Sequence, residues 1–468
     1  MRVLPGILGV GSLLLAGCQS PVDPPAPPEL APAEVSSDTA TDDEPAAAEG
    51  FVPVAPGQFC AQFDPSALEW FDWGASEARE ELTDNGTSVQ LTGAALPPAS
   101  ADRYNTIAEV CPGFFLATTF EGETALISID EDRFATTATL QPAGSLDNPS
   151  DPGVNGGGPI WGFRDSLAVG DDVFFSDGVL DVDAKCVSVA VHRVSLDTVL
   201  TSSSAPSEIV YRSEPCVSYT DDYRANAPIR THLGAALTYR ASVDELYLTI
   251  GDFHLGSSTI GQAEAAGIDN VERDYELLRD PEAAISAVVA IANPAGQPES
   301  RIFAKGLRNS LGITVVRSDR LWLTDHGPQG GDELNLIEEG LDYGWPLTSE
   351  GQPYDRSNYP GALPAPWLDI YQAEVEGTEG PFRSWSPAIA PTAIVQYPEN
   401  GSGIASWDGG LVISSLRGQA LFHLFLEGDG AVVEDRLDLG ERIRDMVVTS
   451  DGQLVLITDS SLLLVVSP

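Results

Sequence analysis

The sequence predicts an all-β protein, a six-bladed β-propeller of four-stranded blades, and three observations carry that prediction. From Phe51 onward the chain is a succession of short apolar-alternating runs broken by Gly, Asp, Asn and Pro. Phe114–Thr119, Asp172-Val173-Phe174-Phe175-Ser176 and Leu411-Val412-Ile413-Ser414 are examples, and alternation with period two is the signature of strands. Helical periodicity is sparse, with candidates only from Ser66 to Ala75 and from Tyr275 to Ala287. A short run also recurs. Asp244-Glu245-Leu246-Tyr247-Leu248-Thr249 is echoed by Asp319-Arg320-Leu321-Trp322-Leu323-Thr324 and, more loosely, by Asp451-Gly452-Gln453-Leu454-Val455-Leu456-Ile457-Thr458. The starts lie 75 and then 132 residues apart (319 − 244 and 451 − 319), the second interval fitting two units. The chain from Phe51 to the end has room for six units of about 70 residues, and radial repetition of four-stranded units hides sheet edges. Each copy is expected as the inner strand of a blade, entered through a turn at its Asp. On periodicity alone, a β-sandwich or two β domains remain open alternatives.

The chain begins MRVLPGILGVGSLLLAGCQS. One Arg precedes an apolar run too short to span a bilayer comfortably, so residues 1–17 read as a signal peptide. The small pair Ala16-Gly17 before Cys18 resembles a bacterial lipobox, which implies acylation of Cys18; an ordinary signal peptide with a chance cysteine is the alternative. Gln19, by resemblance to Gram-negative lipoproteins, favours the outer membrane. Residues 18–50 are rich in Pro, Ala and acid and lack aromatics, so they are expected to be a disordered tether. Residues 51–468 make the propeller. The cell envelope is the expected location, with contact to the membrane through the lipid alone.

Seventy acidic residues stand against 24 Lys plus Arg, a net charge of −46, and only Lys185 and Lys305 are lysines. This excludes nucleic-acid binding through a basic face and docking on anionic lipid through polybasic patches. A charged fraction of 20 % with 43 % hydrophobic residues still allows a large core, so the acid excess describes the surface and not the fold.

Leaving Cys18 aside, Cys60, Cys111, Cys186 and Cys216 form an even set in an exported chain, as expected of disulfides. Three pairings are possible. Proximity favours Cys60–Cys111 and Cys186–Cys216, without deciding the matter, and the spacings match no zinc site.

The most informative segments are Leu307-Arg308-Asn309-Ser310-Leu311-Gly312, then the run from Leu321 to Ile337 with Asp325-His326-Gly327-Pro328-Gln329-Gly330-Gly331-Asp332-Glu333, then Tyr343-Gly344-Trp345-Pro346. His-Gly-Pro after a strand exposes main-chain carbonyls in a tight loop. Carbonyl oxygens suit Ca²⁺, and Asp332 and Glu333 add carboxylates nearby. A strand-end turn with a solvated acidic pair is the plainer reading. Together the segments resemble the signature of the quinoprotein glucose/sorbosone dehydrogenase family, soluble six-bladed propellers that use pyrroloquinoline quinone (PQQ). The resemblance covers about 40 residues closely and most of the C-terminal two thirds weakly; it does not reach the stretch before about Asn155.

The resemblance implies a set of roles. His232, in Thr231-His232-Leu233-Gly234, would be the general base, with Asp252 orienting it. A base near neutral pKa takes the sugar hydroxyl proton as hydride leaves the same carbon, and a carboxylate on the other ring nitrogen fixes the tautomer. A structural turn histidine is the alternative. Arg308 would polarise the reactive quinone carbonyl, and Asn309 would bond the same edge of the cofactor. Arg442 and Arg444, two apart and so on one strand face, would hold cofactor carboxylates, a salt bridge to neighbouring acids being the alternative. Arg417 falls where some members place a cofactor-contacting lysine. The carbonyls of Gly327 and Pro328 would hold a Ca²⁺ that touches the quinone. Glu333 and the Tyr343 carbonyl would belong to a structural Ca²⁺ site.

The chain departs from the family at Gly157, where a Gln is usual, at Leu307, Ser310 and Leu311, where His, Pro and Gln are lost, and at Ala388, where an alcohol side chain is usual. The expected function is PQQ- and calcium-dependent oxidation of an aldose sugar, with hydride passing from the anomeric carbon to the quinone and electrons leaving to an external acceptor. The alternatives are a non-catalytic propeller that binds carbohydrate or a protein partner, and another propeller enzyme such as a lactonase.

Overall fold

The strands form where apolar runs alternate, and each hairpin turns where a residue tolerates left-handed backbone. Gly113, Gly170, Asp244, Asp319, Gly409 and Gly452 all have positive φ and stand one or two residues before the second strand of a blade; Gly and Asp are residues that reach this region cheaply. The computed structural model describes residues 57–74, 78–96, 103–141, 162–181, 183–184, 186–218, 232–255, 276–351, 375–399, 401, 403–427 and 431–468. The signal peptide, Cys18, the tether and Gly157 lie outside the described residues.

Six antiparallel sheets form the blades. Their strands, from the inside outward, are Tyr104–Cys111, Phe114–Thr119, Glu123–Ser128 and Arg133–Gln141 in blade 1. Blade 2 has Gly162–Val169, Asp172–Asp181, Cys186–Ser195 and Glu208–Arg212, and blade 3 has Gly234–Arg240, Glu245–Ile250, Ala287–Ala292 and Glu299–Lys305. Blade 4 has Ser310–Val315, Leu321–Asp325, Asp332–Ile337 and Arg383–Trp385, and blade 5 has Pro391–Gln396, Leu411–Ser415, Ala420–Glu427 and Ala431–Asp438. Blade 6 takes Ile443–Val448, Leu454–Thr458 and Leu462–Ser467 from the end of the chain and its fourth strand, Ser88–Ala95, from the beginning. This is the predicted architecture, with short extra strands added at the edges of blades 1, 2 and 6.

Three expectations are corrected. The repeated Asp-led run is the second strand of its blade and not the inner one: Glu245–Ile250, Leu321–Asp325 and Leu454–Thr458 all lie one place out. These runs are the most nearly continuous in apolar residues because the second strand is covered on both faces. The helix expected from Ser66 to Ala75 is a single 3₁₀ turn, Pro65–Ala67, followed by the strand Phe71–Asp72. The Asp64 carboxylate accepts from the Ser66 N–H and Trp70 Nε1 donates to the Pro65 carbonyl, which closes the turn locally. The second candidate is helical only over 276–279, since Pro281 cannot continue a helix. Two short helices, Gln58–Gln62 and Leu196–Thr201, were not foreseen.

Six apolar clusters fill the six seams between neighbouring blades. The inner strands adjoin in a closed ring, blade 6 beside blade 1. Their starts lie at one end of the channel, as the side-chain contacts show: Thr106 Oγ1 bonds Asp445 of blade 6 at 2.9 Å and Asp165 of blade 2 at 3.4 Å, and Asp165 accepts from the Leu237 N–H of blade 3 at 2.7 Å. Each inner strand is bulged at this end, and bulges re-aim side chains. The disulfides are Cys60–Cys111, which ties the segment before the closing strand to blade 1, and Cys186–Cys216 within blade 2. Among the described residues no helix is long and apolar enough to cross a membrane.

The closing strand buries Val89 and Leu91 against blade 6, whereas Leu82 on the extra edge strand is 62 % exposed. Leu91→Ala is expected to cost about 2–5 kcal/mol in urea unfolding, and Leu82→Ala less than about 0.5 kcal/mol.

Candidate active site

The site grows out of the loops that enter the inner strands. The segment before blade 3 lies along the segment that leaves its second strand: the Gly251 N–H donates to the Leu233 carbonyl at 2.9 Å and the Phe253 N–H to the His232 carbonyl at 2.9 Å. A Cβ on Gly251 would run into the His232 carbonyl, so glycine is required for this approach. Phe253 and His254 both take left-handed backbone, φ 51° and 60°, an uncommon pair for large side chains. The turn sets Asp252 against His232, with His232 Nδ1 2.9 Å from Asp252 Oδ1. Asp252 is fully buried, while the His232 side chain keeps 16 % exposure. The His254 N–H donates to Asp252 Oδ1 at 2.9 Å and Trp345 Nε1 donates to Oδ2 at 3.0 Å. The His254 ring meets the His232 ring edge to face, with centroids 3.4 Å apart.

Burial holds the His232 pKa well below the ordinary 6.5, and the nearby Arg308 and His326 push it the same way. Burial raises Asp252, opposed by the Arg308 charge and by its hydrogen bonds. The imidazole is therefore neutral at pH 7, with Nδ1–H on the carboxylate and Nε2 left as the basic atom.

Blade 4 contributes the cation. Asp325, at the end of the second strand, accepts the Arg308 and Asn309 N–H groups at 2.7 Å each and the Ser310 hydroxyl at 2.9 Å. This pins the loop that carries Arg308. The guanidinium lies 5.3 Å from the centre of the Trp345 ring, and its Nη1 donates to the carbonyls of His326 and Gly327 at 3.0 Å each. Asn309 Oδ1 accepts from the Gly234 N–H at 3.2 Å. His232, Asp252, Arg308 and Asn309, predicted from segments up to 77 residues apart (309 − 232), are thus brought together.

The carbonyl loop is held by an acid that the sequence placed among the metal carboxylates. Asp332 accepts from Gly327 N–H at 3.0 Å, Ile389 N–H at 2.7 Å and Ala390 N–H at 2.6 Å, so both of its oxygens serve backbone amides. Glu333 differs. Burial, and then the neighbouring Asp325 charge, raises its carboxyl to about 8. It lines a pocket with Tyr343, Glu350 and Glu379. Among the described residues no three His, Cys, Asp or Glu side chains are grouped closely enough to hold a metal by themselves; carbonyl oxygens would have to complete any site.

Blades 6 and 5 supply the remaining candidates. Arg442 Nε is 2.7 Å from Asp459 Oδ2, Arg444 Nε bonds Asp459 Oδ1, and Arg103 Nη1 is 3.5 Å from the same carboxylate. Arg442 and Arg444 share a face, and both make a salt bridge with Asp459, the alternative that the sequence left open. Arg417 is exposed beside them, since the Leu416 carbonyl accepts from Arg442 Nη1 at 3.3 Å. Ala388 follows Pro387 in the loop held by Asp332. Sequence reasoning assigned no role to Trp345, Asp325, His254 or Arg103. The first two stand inside the quoted motifs, where their spacing from His232 and Arg308 was visible but their contacts were not.

The family profile described as glucose/sorbosone dehydrogenase matches residues 187–464. Aldose sugar dehydrogenase YliI of Escherichia coli is 35 % identical over 175 residues, 36 % of this chain and 44 % of that protein. Quinoprotein glucose dehydrogenase B of Acinetobacter calcoaceticus is 24 % identical over 208 residues, 35 % of this chain and 43 % of that one. The chain thus spans about two fifths of the length of the curated relatives it matches. The apo crystal structure of the soluble aldose sugar dehydrogenase from Escherichia coli shares the fold, with a TM-score of 0.59 and 23 % identity over 81 % of this chain and 99 % of that one.

An imidazole kept below its unfolded pKa of 6.5 adds stability above pH 6.5, and that contribution is lost as pH falls toward the native value. The urea midpoint of the wild type is expected to drop more between pH 6.5 and pH 5 than that of His232→Gln. Equal losses in the two proteins would mean that His232 is not held neutral by the fold.

Proposed function

From its membership of the glucose/sorbosone dehydrogenase family, to which this chain belongs, we propose that the protein oxidises an aldose sugar with PQQ and calcium, His232 acting as the general base. The observation that carries the reading is the neutral His232 held on a buried Asp252 at the channel end where Arg308 also lies.

His232 Nε2 takes the proton from the anomeric hydroxyl. Asp252 keeps the imidazole in the Nδ1–H tautomer and stabilises the imidazolium that forms. Trp345 and the His254 amide hold the carboxylate in place, so the base does not have to reorganise. When bound, PQQ supplies the hydride acceptor, and the protein supplies position and charge. The donor set fits such a group: Arg308 offers a fixed cation for a developing negative charge, and Arg442 and Arg444 share a single carboxylate, leaving positive charge for an anion. Calcium would be held by oxygens alone, the Gly327 and Pro328 carbonyls at one site, Glu333 and the Tyr343 carbonyl at the other, which is the chemistry hard cations prefer. Glu333 supports this, because a buried carboxyl raised to about 8 lacks a compensating cation.

The rest of the proposal concerns placement. Residues 1–17 are a signal peptide, Cys18 carries lipid, residues 18–50 are a tether and 51–468 the catalytic propeller. The enzyme works at the cell envelope, at the outer membrane, and passes electrons to an external acceptor.

Purified protein loaded with PQQ and Ca²⁺ is expected to reduce a dye in the presence of aldoses, and His232→Ala to lose about 10²–10⁴-fold in kcat while still binding PQQ. Unchanged turnover in the variant would remove His232 from the chemistry, and absence of PQQ binding by the wild type would leave a carbohydrate- or partner-binding propeller as the function. Calcium is expected to raise the melting temperature of the wild type, and Glu333→Gln to lose most of that rise.

A further inference from the structure

The imidazole of His326 is neither the base nor the cation of the site, yet both of its nitrogens are engaged. It stands directly after the second strand of blade 4 and is half-buried. Its Nε2 lies 2.6 Å from the Pro391 carbonyl, at the start of the inner strand of blade 5. Its Nδ1 lies 3.4 Å from Asn309 Nδ2, just before the inner strand of blade 4. Asn309 Oδ1 in turn accepts from the Gly234 N–H at 3.2 Å, at the start of blade 3. Gly234 has φ 63°, and a Cβ there would come within 3.0 Å of the Gly251 nitrogen and 3.1 Å of the Ser310 carbonyl. The N–H is therefore presented by a backbone that favours glycine. One file of polar groups joins three neighbouring blades, through residues as much as 157 positions apart (391 − 234).

The proton positions along the file follow from its two ends. A carbonyl only accepts, so Nε2 carries its proton toward Pro391. A backbone N–H only donates, so the oxygen of the Asn309 amide faces Gly234 and its nitrogen faces His326. Nδ1 must then be the bare nitrogen that accepts. A proton on Nδ1 would set donor against donor, and turning the amide over would set Nδ2 against the Gly234 N–H. Both ends are anchored: Asp332 accepts from the Ala390 N–H beside Pro391 at 2.6 Å, and Asp325 accepts from the Asn309 N–H at 2.7 Å. A network in which each member has one consistent role specifies a single arrangement. The main chain of His326 also serves the cation, since its carbonyl accepts from Arg308 Nη1 at 3.0 Å. One residue thus braces both Arg308 and Asn309.

We propose that His326 is a positioning residue: as the Nε2–H tautomer it locks the Asn309 amide so that the second N–H of Nδ2 is offered to the ligand as a donor. The lock favours a ligand that presents a carbonyl-type oxygen at this edge and disfavours one that presents a donor, because a buried donor set against a donor is left unsatisfied. That the ligand is the quinone rests on the function proposed above; the lock itself does not.

The test begins with cofactor-free full-length protein labelled with ¹⁵N at its five histidines, the His326 signals being those lost in His326→Phe. The expected result is an Nε2–H ring whose bare Nδ1 signal shifts in Asn309→Ala. Any ring protonated at Nδ1, or an Nδ1 signal indifferent to Asn309→Ala, would overturn the proposal. Should the phenylalanine variant not fold, His326→Gln identifies the signals. PQQ titration of the same proteins gives the second arm. His326→Phe and Asn309→Ala are each expected to weaken PQQ binding about tenfold, and the double variant about tenfold as well, because His326 acts through Asn309. His326→Gln, which can keep one of the two bonds, should lie between wild type and His326→Phe. A loss of about a hundredfold in the double variant would make the two residues independent and overturn the positioning role. Wild-type protein that binds no PQQ but shows the Nε2–H ring coupled to Asn309 would sustain the lock and remove the quinone as its ligand.

Discussion

Everything at the channel mouth depends on one pairing, that of Ser88–Ala95 with Leu462–Ser467. The blades meet through apolar seams more than through shared strands, and an apolar contact is not directional. Hydrogen bonds between the first and last parts of the propeller are directional. They place the first and last parts of the propeller in one blade and so close the ring. Once closed, the ring converts positions scattered from Arg103 to Asp459 into neighbours around one opening.

Charge is used at that opening in an uneven way. Asp252, Asp325 and Asp332 are buried, and each accepts backbone N–H groups from loops that carry functional side chains. They act as anchors, since a buried carboxylate is tolerated when its oxygens are filled by donors. Asp165 and Asp445 bridge blades 6, 1, 2 and 3 in the same fashion, with Asp445 raised to about 6 by burial. The acid excess thus has an internal portion that shapes the fold, while Arg103, Arg442 and Arg444 meet at Asp459.

The fold class was legible because alternation and turn residues are local properties. The blade count followed from spacing, but strand placement did not: Glu245–Ile250 repeats most clearly because it is covered on both faces, and coverage depends on what packs from outside. The helix misreadings have the same origin, in short contacts such as Asp64 with Ser66 and in a proline that ends a turn. At the site, His232, Asp252, Arg308 and Asn309 were legible through the family resemblance, and their proximity follows from the ring. Trp345 was visible inside a motif, yet only the fold shows its indole on Asp252.

By itself the sequence determined the class of fold, the candidate base and its partner, and the even set of cysteines, because each rests on residue type and spacing. The tertiary structure decided which cysteines pair, which acids anchor loops, and that Arg103, from the least recognisable blade, stands beside Arg444. The last of these arises only when ring closure brings the two ends of the propeller together, and no local pattern records that residues more than 300 positions apart (444 − 103 = 341) will be neighbours.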